Sequence, residues 1–186
     1  MPPKVKITKE DIIDAATEIV RENGAEAINA RELANLLKCS TQPVFSNFSN
    51  MSELRQEVIK NANTMCNEYI KTEVEKGEYP PYKASGMAYI RFAKEEKELF
   101  KLLYMRNRSD DIMAEEEKLS DQMESIIKDT TGLDGEKMEL FHLEMWAFVH
   151  GIATMFATGF LDLPWELVSK MLTDSYKGLK KQYELE

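Results

Sequence analysis

The sequence has no long apolar run, few cysteines and no excess of basic charge. No run of about 18 or more apolar residues occurs, and the N-terminus MPPKVKITKE lacks the apolar centre of a signal peptide. We therefore expect a cytoplasmic protein. Its two cysteines, Cys39 and Cys66, are too few for a disulfide framework and are predicted to be reduced, inert thiols. The net charge of -9 argues against general polyanion binding.

Signatures of enzymes and metal sites are also missing from the sequence. There is no Gly-rich phosphate loop, Gly-x-Ser-x-Gly elbow or His-Glu-x-x-His motif. His142 and His150 lie eight positions apart, whereas a helical metal pair favours the i, i+4 spacing. The acidic run 115–117 is typical of a solvated helix face. We therefore expect no catalysis, no metal and no other cofactor.

Helical patterns begin close to the N-terminus. In TKEDIIDAATEIVRENG, apolar residues recur on one face of a helix, Thr8 and Asp11 have the spacing of a capping box, and Gly24 marks the end. The next segment, NARELANLLK, repeats this design with Asn29 as its predicted N-cap. The sequence therefore predicts a longer helix followed by a short one.

The stretch KCSTQPVFSNFSNMSEL predicts a third short helix and the start of a longer fourth one. The predicted buried stripe of the fourth helix is Leu54, Val58, Ala62, Met65 and Tyr69. Ser40 is the expected N-cap, and Pro43 is tolerated because the first turn of a helix needs no backbone N–H partner. After the break at GEYPPY, further helices are predicted over 82–94, 96–107, 109–130, 135–160 and 164–184. No segment alternates like a strand, so the predicted fold class is all-α.

Two short helices joined by a tight turn are typical of a helix-turn-helix, whose second helix enters the DNA major groove. Glutamine pairs with adenine, and Ser, Thr and Asn reach base edges or phosphates. By spacing alone, a solvated helical hairpin in a bundle remains an alternative. The predicted DNA-binding residues are Lys4, Lys6, Asn29, Arg31, Ser40, Thr41, Gln42, Phe45, Ser46 and Asn47.

From Thr8 to Leu54 the sequence resembles the DNA-binding domain of the TetR family of bacterial transcriptional repressors. The chain has ARELANLLKCSTQPVFSNFSNMSEL where the family has roughly T-hydrophobic-R-D-I-A-x-x-A-G-V-S-x-x-x-L-Y-x-x-F-x-S-K-E-x-L. Three positions depart from this pattern. Phe45 replaces a tyrosine that usually contacts a phosphate, Lys38 replaces a glycine, and Met51 replaces a lysine. The matching positions are Gly24, Ala34, Ser40, Val44, Phe48, Glu53 and Leu54.

The C-terminal part contains Trp146, His150 and Gly151, which resemble a Trp-x-x-x-His-Gly segment found in one branch of the family. The resemblance implies that the last two long helices of each subunit form a four-helix dimer bundle. The small residues Gly151, Ala153, Ala157 and Gly159 permit close helix approach, although an intramolecular core helix would use the same residues. The predicted interface residues are Gly151, Met155, Gly159 and Met171.

The resemblance also implies an effector pocket among the C-terminal helices. Methionine and aromatic side chains recur there and suit an adaptable apolar cavity, although each also suits an ordinary core. The residues predicted to bind the ligand are Phe92, Tyr104, Met123 and Trp146.

The sequence thus predicts a helix-turn-helix domain over residues 1–50 and a helical ligand-binding and dimerisation domain over 51–186. The implied function is a ligand-responsive repressor that binds an inverted-repeat operator as a homodimer and responds to a small apolar or amphipathic effector. The first alternative is a TetR-fold protein that has lost sequence-specific DNA binding and acts through a protein partner. An all-α enzyme is the second.

Overall fold

The computed structural model describes residues 7–106 and 121–185, except for the side chains of residues 121 and 122. These described residues form nine α-helices and one 3-10 turn and contain no strand, so the all-α prediction is confirmed. The helices are α1 Lys9–Asn23, α2 Ala30–Leu36, α3 Gln42–Asn47, α4 Met51–Lys76, α5 Pro81–Glu95, α6 Lys97–Tyr104, α7 Asp121–Thr131, α8 Gly135–Thr158 and α9 Trp165–Gln182.

The first two helices begin at the predicted caps. Thr8 Oγ accepts a hydrogen bond from the Asp11 N–H at 3.1 Å, and the Asp11 carboxylate accepts one from the Thr8 N–H at 2.8 Å. Asn29 Oδ1 accepts the N–H groups of Arg31 and Glu32 at 3.1 and 3.0 Å. These side chains satisfy donors that a helix N-terminus otherwise leaves unpaired.

The predicted cap of the third helix is wrong. Helix α3 begins at Gln42, one position later than Ser40 would start it, and Thr41 precedes it without a side-chain cap bond. Helix α4 begins where expected, because Asn50 Oδ1 accepts the Glu53 N–H at 2.9 Å.

The chain divides into two compact units. The first unit, which we call the head, contains the described residues up to Cys66 together with Glu96–Arg106. The second unit, the body, contains Asn67–Glu95 together with the described residues after 120. This division does not coincide with the predicted boundary after residue 50. The start of α4 and all of α6 lie in the head because they supply apolar side chains to its core.

The head core is formed by one face of each of its helices. Helix α1 packs against α2 and α6, and α2 packs against α3. The Arg21 guanidinium fixes this packing with a 2.8 Å bond to Glu96, and it also pairs with Glu18. The fully or almost fully buried head residues include Ile12, Ala16, Val20, Leu33, Val44, Phe48, Leu54, Val58, Leu99 and Phe100.

Helix α5 is the central element of the body and packs against α7, α8 and α9. At Gly86, an added Cβ would lie 3.1 Å from Leu172 and 3.5 Å from Val149, so glycine permits the close approach of α5 to both neighbouring helices. The predicted helix 109–130 is described only from residue 121, where α7 begins, and its first part lies outside the described residues.

Candidate functional site

The turn between α2 and α3 closes α2 with a Schellman motif. The N–H of Lys38 donates to the Asn35 carbonyl at 3.2 Å, and the N–H of Cys39 donates to the Ala34 carbonyl at 2.9 Å. Lys38 has φ of 50°, in the left-handed region that favours glycine. This backbone conformation explains why the family pattern has glycine at the position of Lys38.

Helix α3 has one buried face and one exposed face. Val44 is fully buried, and Phe48 directly after the helix is 2% exposed, so these side chains hold α3 to the head core. Gln42, Phe45 and Ser46 are exposed at i, i+3 and i+4, which places them on one face of the helix. Phe45 is 57% exposed, an unusual state for a large aromatic side chain. Helix α3 therefore presents two polar side chains and an aromatic ring to solvent.

Two predicted DNA-binding residues in α3 use their donors within the helix. Ser46 Oγ donates to the Gln42 carbonyl at 2.9 Å, and Asn47 Nδ2 donates to the Pro43 carbonyl at 2.8 Å. Thr41, which precedes the helix, is half-buried. Ser46 and Asn47 keep their oxygens as hydrogen-bond acceptors. Gln42 is thus the exposed amide of α3, and its side chain has no hydrogen bond among the described residues.

The remaining predicted DNA-binding residues differ in their surroundings. Asn29 is a helix cap, because its Oδ1 is already bonded to two backbone N–H groups and its Nδ2 donates to the Ala27 carbonyl at 3.1 Å. Arg31 and Ser40 are exposed. Lys4 and Lys6 lie outside the described residues.

Helices α8 and α9 carry exposed and half-exposed apolar and small residues, which we call the bundle face. At 100° per residue, its α8 members lie within about 80° of one another and its α9 members within about 40°. An added Cβ at Gly151 or Gly178 would meet no atom within 4 Å, so both glycines lie in open space. The bundle face comprises Leu140, Leu143, Ala147 and Gly151 of α8 and Leu167, Met171 and Gly178 of α9.

The other small residues singled out in α8 do not lie on the bundle face. Ala153 and Ala157 are buried within the body, so they pack inside the subunit. Gly159 ends α8 with φ of 70° and donates its N–H to the last helical carbonyls, which makes it a C-cap. Met155 is half-exposed next to the bundle face.

Two of the predicted ligand-binding residues are in well-packed positions. Phe92 in the body is fully buried and makes an edge-to-face contact with Tyr69, with ring centroids 5.4 Å apart. Tyr104 belongs to the head and donates its hydroxyl to the Cys66 sulfur at 3.7 Å. Burial raises the pKa of Cys66 to about 11, so this thiol stays protonated and unreactive at neutral pH.

The other two predicted ligand-binding residues occupy different parts of the body. Met123 packs against a buried cluster that includes Tyr82 and Phe141. Trp146 is 38% exposed and stacks on the ring of His150 at a centroid distance of 4.8 Å. The contacts described for Phe92, Met123 and Trp146 are therefore with different partners, and these contacts do not assemble the three residues into one site.

The histidines of α8 pair with tyrosines of α5. The Tyr82 hydroxyl is 3.1 Å from Nδ1 of His142, and the Tyr89 hydroxyl is 3.0 Å from Nδ1 of His150. Burial lowers the pKa of both histidines below the ordinary value, which favours neutral imidazoles at neutral pH. Within residues 7–106 and 121–185, no group of three His, Cys, Asp or Glu side chains is placed to hold a metal ion.

Sequence reasoning missed a buried acidic residue in the body. Glu73 is 3% exposed, and its carboxylate is bonded to Lys76 at 2.9 Å and lies 3.6 Å from Arg91. The signal was present in the sequence. The buried stripe predicted for α4 includes Tyr69, and the next position on that stripe, four residues later, is Glu73.

Comparisons with known proteins agree with this architecture of a helix-turn-helix head and a helical body. The family model described as "Tetracyclin repressor-like, C-terminal domain" matches residues 82–174. This match covers half of the chain, and the protein belongs to the TetR family of transcriptional regulators. Among curated proteins, none matches the sequence.

The fold is also found in a solved structure. A TetR-like transcriptional regulator from Rhodococcus sp. RHA1 is similar with a TM-score of 0.67 and 14% identity, over 96% of this chain and 98% of that chain. At this identity the likeness shows the fold. TetR-like regulators bind DNA, typically dimerise and are generally not enzymes.

Helix α8 is long and apolar enough to pass a length-and-composition test for a membrane span. The core helix of a soluble protein passes the same test, and α8 contributes eight buried residues to the body. TetR-like regulators are soluble, and this one helix does not indicate a membrane protein.

Proposed function

We propose that the protein is a cytoplasmic repressor that binds an inverted-repeat operator as a homodimer and responds to a small ligand. The exposed face of α3 is the observation that carries this proposal. Val44 and Phe48 anchor the helix in the head core, while Gln42, Phe45 and Ser46 face solvent together. A short anchored helix with this exposed face has the form of a major-groove reader.

The proposed contacts divide into base readout and backbone positioning. Gln42 reads an adenine through its free amide, and Ser46 accepts a hydrogen bond through its oxygen. Phe45 packs its exposed ring against the sugar-phosphate backbone or a thymine methyl. Arg31, Lys4 and Lys6 neutralise phosphates, which fixes the position of the head without specifying sequence.

The bundle face supports the proposed dimer. It leaves apolar side chains exposed, and Leu140 and Leu143 are 51% and 56% exposed. Its glycines leave room for close approach of a second copy, because nothing lies within 4 Å of a Cβ at Gly151. A dimer of this kind has a two-fold axis, so its two recognition helices require an inverted repeat in the DNA.

Ligand control is proposed as a shift between two conformations of the dimer. The ligand binds more tightly to a conformation in which the spacing of the two heads does not match the two half-sites of the operator. Because the two binding events are linked, the ligand lowers the affinity for the operator by the same factor by which the operator lowers the affinity for the ligand. We propose that binding, and not turnover, is the function of the body.

Selection of genomic DNA tests this proposal. Purified protein is mixed with sheared genomic fragments, and the retained fragments are sequenced. A Gln42→Ala, Ser46→Ala variant serves as the control, because both changes are exposed and leave the core intact. We expect an enriched inverted repeat with the native protein alone. Folded native protein that enriches no sequence would contradict operator binding and would favour the alternative, action through a protein partner.

A further inference from the structure

Glu73 of α4 is a buried carboxylate whose two oxygens differ. Carboxylates are almost never this buried without full pairing. Oε2 accepts a bond from Lys76 at 2.9 Å, but Oε1 lies 3.6 Å from the nearest Arg91 nitrogen, which exceeds a normal hydrogen bond. Within the described part of the chain, Oε1 has no hydrogen-bond partner.

Arg91 of α5 presents a matching unpaired donor. Its Nε is buried and has no hydrogen-bond partner among the residues that the structure describes. Its guanidinium lies over the Trp165 ring, 5.4 Å from the centroid, so the group is held in place by an aromatic surface. The Arg91 side chain is 34% exposed, so the Arg91 side of this site is accessible from solvent.

A buried acceptor and a buried donor thus lie beside each other. Most buried polar atoms form hydrogen bonds. Two neighbouring atoms without partners therefore indicate a bound group that forms a hydrogen bond with each of them. A group that pairs with both atoms must donate a hydrogen bond to Oε1 and accept one from Nε, and an ionised carboxylate cannot do this because it has no donor. A neutral carboxamide fits, because it carries an N–H donor and a carbonyl acceptor on one edge.

The neighbouring side chains are aromatic. Phe92 follows Arg91 on α5 and is fully buried, and Tyr69 lies one turn before Glu73 on α4 and contacts Phe92. Together with Trp165 these rings provide apolar surface next to the polar pair. We propose that Glu73 and Arg91 anchor the ligand of the body and that this ligand carries a neutral carboxamide-like group on a ring or similar apolar frame. This inference rests on the proposed function, in which the body binds a ligand.

Benzamide is a suitable probe because it combines a carboxamide with one ring. Its binding to the full-length protein is measured by NMR titration without DNA, with benzoate and toluene as comparison ligands. We expect saturable benzamide binding with Kd of about 1 mM or tighter. Benzoate should bind at least about tenfold more weakly, because its charge faces the Glu73 carboxylate and it lacks the N–H donor.

Two variants test the anchor in different ways. Glu73→Leu removes the acceptor, and Arg91→Lys keeps the positive charge but removes the Nε donor. Each should weaken benzamide binding at least about tenfold and leave toluene binding within about twofold. Glu75→Leu is the matched control, because Glu75 is an exposed acid two positions from Glu73, and its benzamide affinity should not change. Arg91→Lys keeps a cation beside Glu73 and decides the result if Glu73→Leu does not fold.

Three results would overturn the inference. The first is native protein that shows no saturable benzamide binding at about 10 mM. The second is an equal loss of affinity in the control variant. The third is a crystal soaked with benzamide in which a water bridges Glu73 Oε1 and Arg91 Nε and the benzamide lies elsewhere. Because no DNA is present, these results are independent of operator binding, and a protein without an operator can still bind benzamide.

Discussion

The head and the body satisfy their polar groups in different ways. In the head, short-range bonds close the ends of the helices, as at Thr8 with Asp11 and at Asn29 with Arg31 and Glu32, and the pair of Arg21 with Glu96 is a long-range exception. In the body, many polar side chains pair with partners about 60 to 90 positions away in sequence. Examples are Tyr82 with His142, Tyr89 with His150, Lys83 with Thr173 and Lys94 with Asp162.

This difference determines what each unit can be used for. A head whose helix ends are fixed by local signals holds α3 in a defined conformation, which suits the proposed reading of fixed DNA geometry. A body built from long-range polar pairs can place donors and acceptors next to apolar surface, which suits a ligand site. The following variants test this contrast, beginning with the largest expected effect.

The largest effect is expected at the bundle face. Gly151→Arg places a charged side chain in a proposed close helix contact between subunits, where an unpaired buried charge costs about 3–5 kcal/mol. The fold of one subunit should tolerate the change, because nothing lies within 4 Å of the new Cβ. We expect monomers by light scattering and a loss of operator affinity of at least about 100-fold.

The control for this variant is Glu124→Arg, an exposed position on α7, which contributes no residue to the bundle face. It should remain a dimer with nearly native operator affinity. If Gly151→Arg is folded by circular dichroism and still dimeric, the bundle face is not the subunit interface.

A smaller and sequence-dependent effect is expected in the head. Gln42→Ala removes the free amide of α3 and should weaken operator binding by about 1–3 kcal/mol, whereas binding to random DNA should hardly change. Fluorescence anisotropy on both DNAs measures the difference. Asn63→Ala, which truncates an exposed amide on α4, is the matched control. An equal loss of affinity for operator and for random DNA would mean that Gln42 contacts the DNA backbone and not a base.

The contrast between the units also explains which features could be predicted from the sequence. Helix caps such as Thr8 and Asn29 depend on residues three positions apart, so the sequence predicts them correctly. The prediction that Ser40 caps α3 was wrong because the chain that follows the Schellman turn at Lys38 runs through Ser40 and Thr41 before α3 begins at Gln42. Local signals are sufficient where the structure is decided locally.

The body was less predictable because its contacts depend on tertiary packing. The sequence placed Ala153 and Ala157 with Gly151, but the first two face the subunit interior. The sequence pattern also predicted α4 as an ordinary amphipathic helix and did not predict that Glu73 is buried. Periodicity identifies the buried face of a helix, but it does not show which polar residues can lie on that face. A packed interior decides that question through partners such as Arg91.

A stability effect is expected at the turn before α3. Lys38 has φ of 50°, where a side chain is strained, so Lys38→Gly should raise the free energy of unfolding by about 0.5–1 kcal/mol. Thermal unfolding should shift upward by about 1–4 °C. Lys38→Ala keeps the Cβ and should give no such gain. A Gly variant no more stable than the Ala variant would mean that the turn is not strained.

The smallest effect is expected from restoring the two phosphate contacts that the family resemblance implies. Phe45→Tyr adds a hydroxyl to the exposed ring of α3, and Met51→Lys adds a charge to the first residue of α4. Both should tighten binding by a few-fold on operator and random DNA alike, because phosphate contacts carry no direct sequence information. The preferred sequence should therefore stay the same.

Salt dependence separates the two substitutions from each other. Met51→Lys should steepen the slope of log K against log salt by about 0.9 per subunit, because one more neutralised phosphate releases its counterion. Phe45→Tyr adds no charge and should leave the slope unchanged, which makes it the control. Binding isotherms at several salt concentrations measure both. An unchanged slope for Met51→Lys would mean that the start of α4 does not contact the DNA backbone. The predictions for Gln42 would still stand, because they depend only on base contacts made by α3.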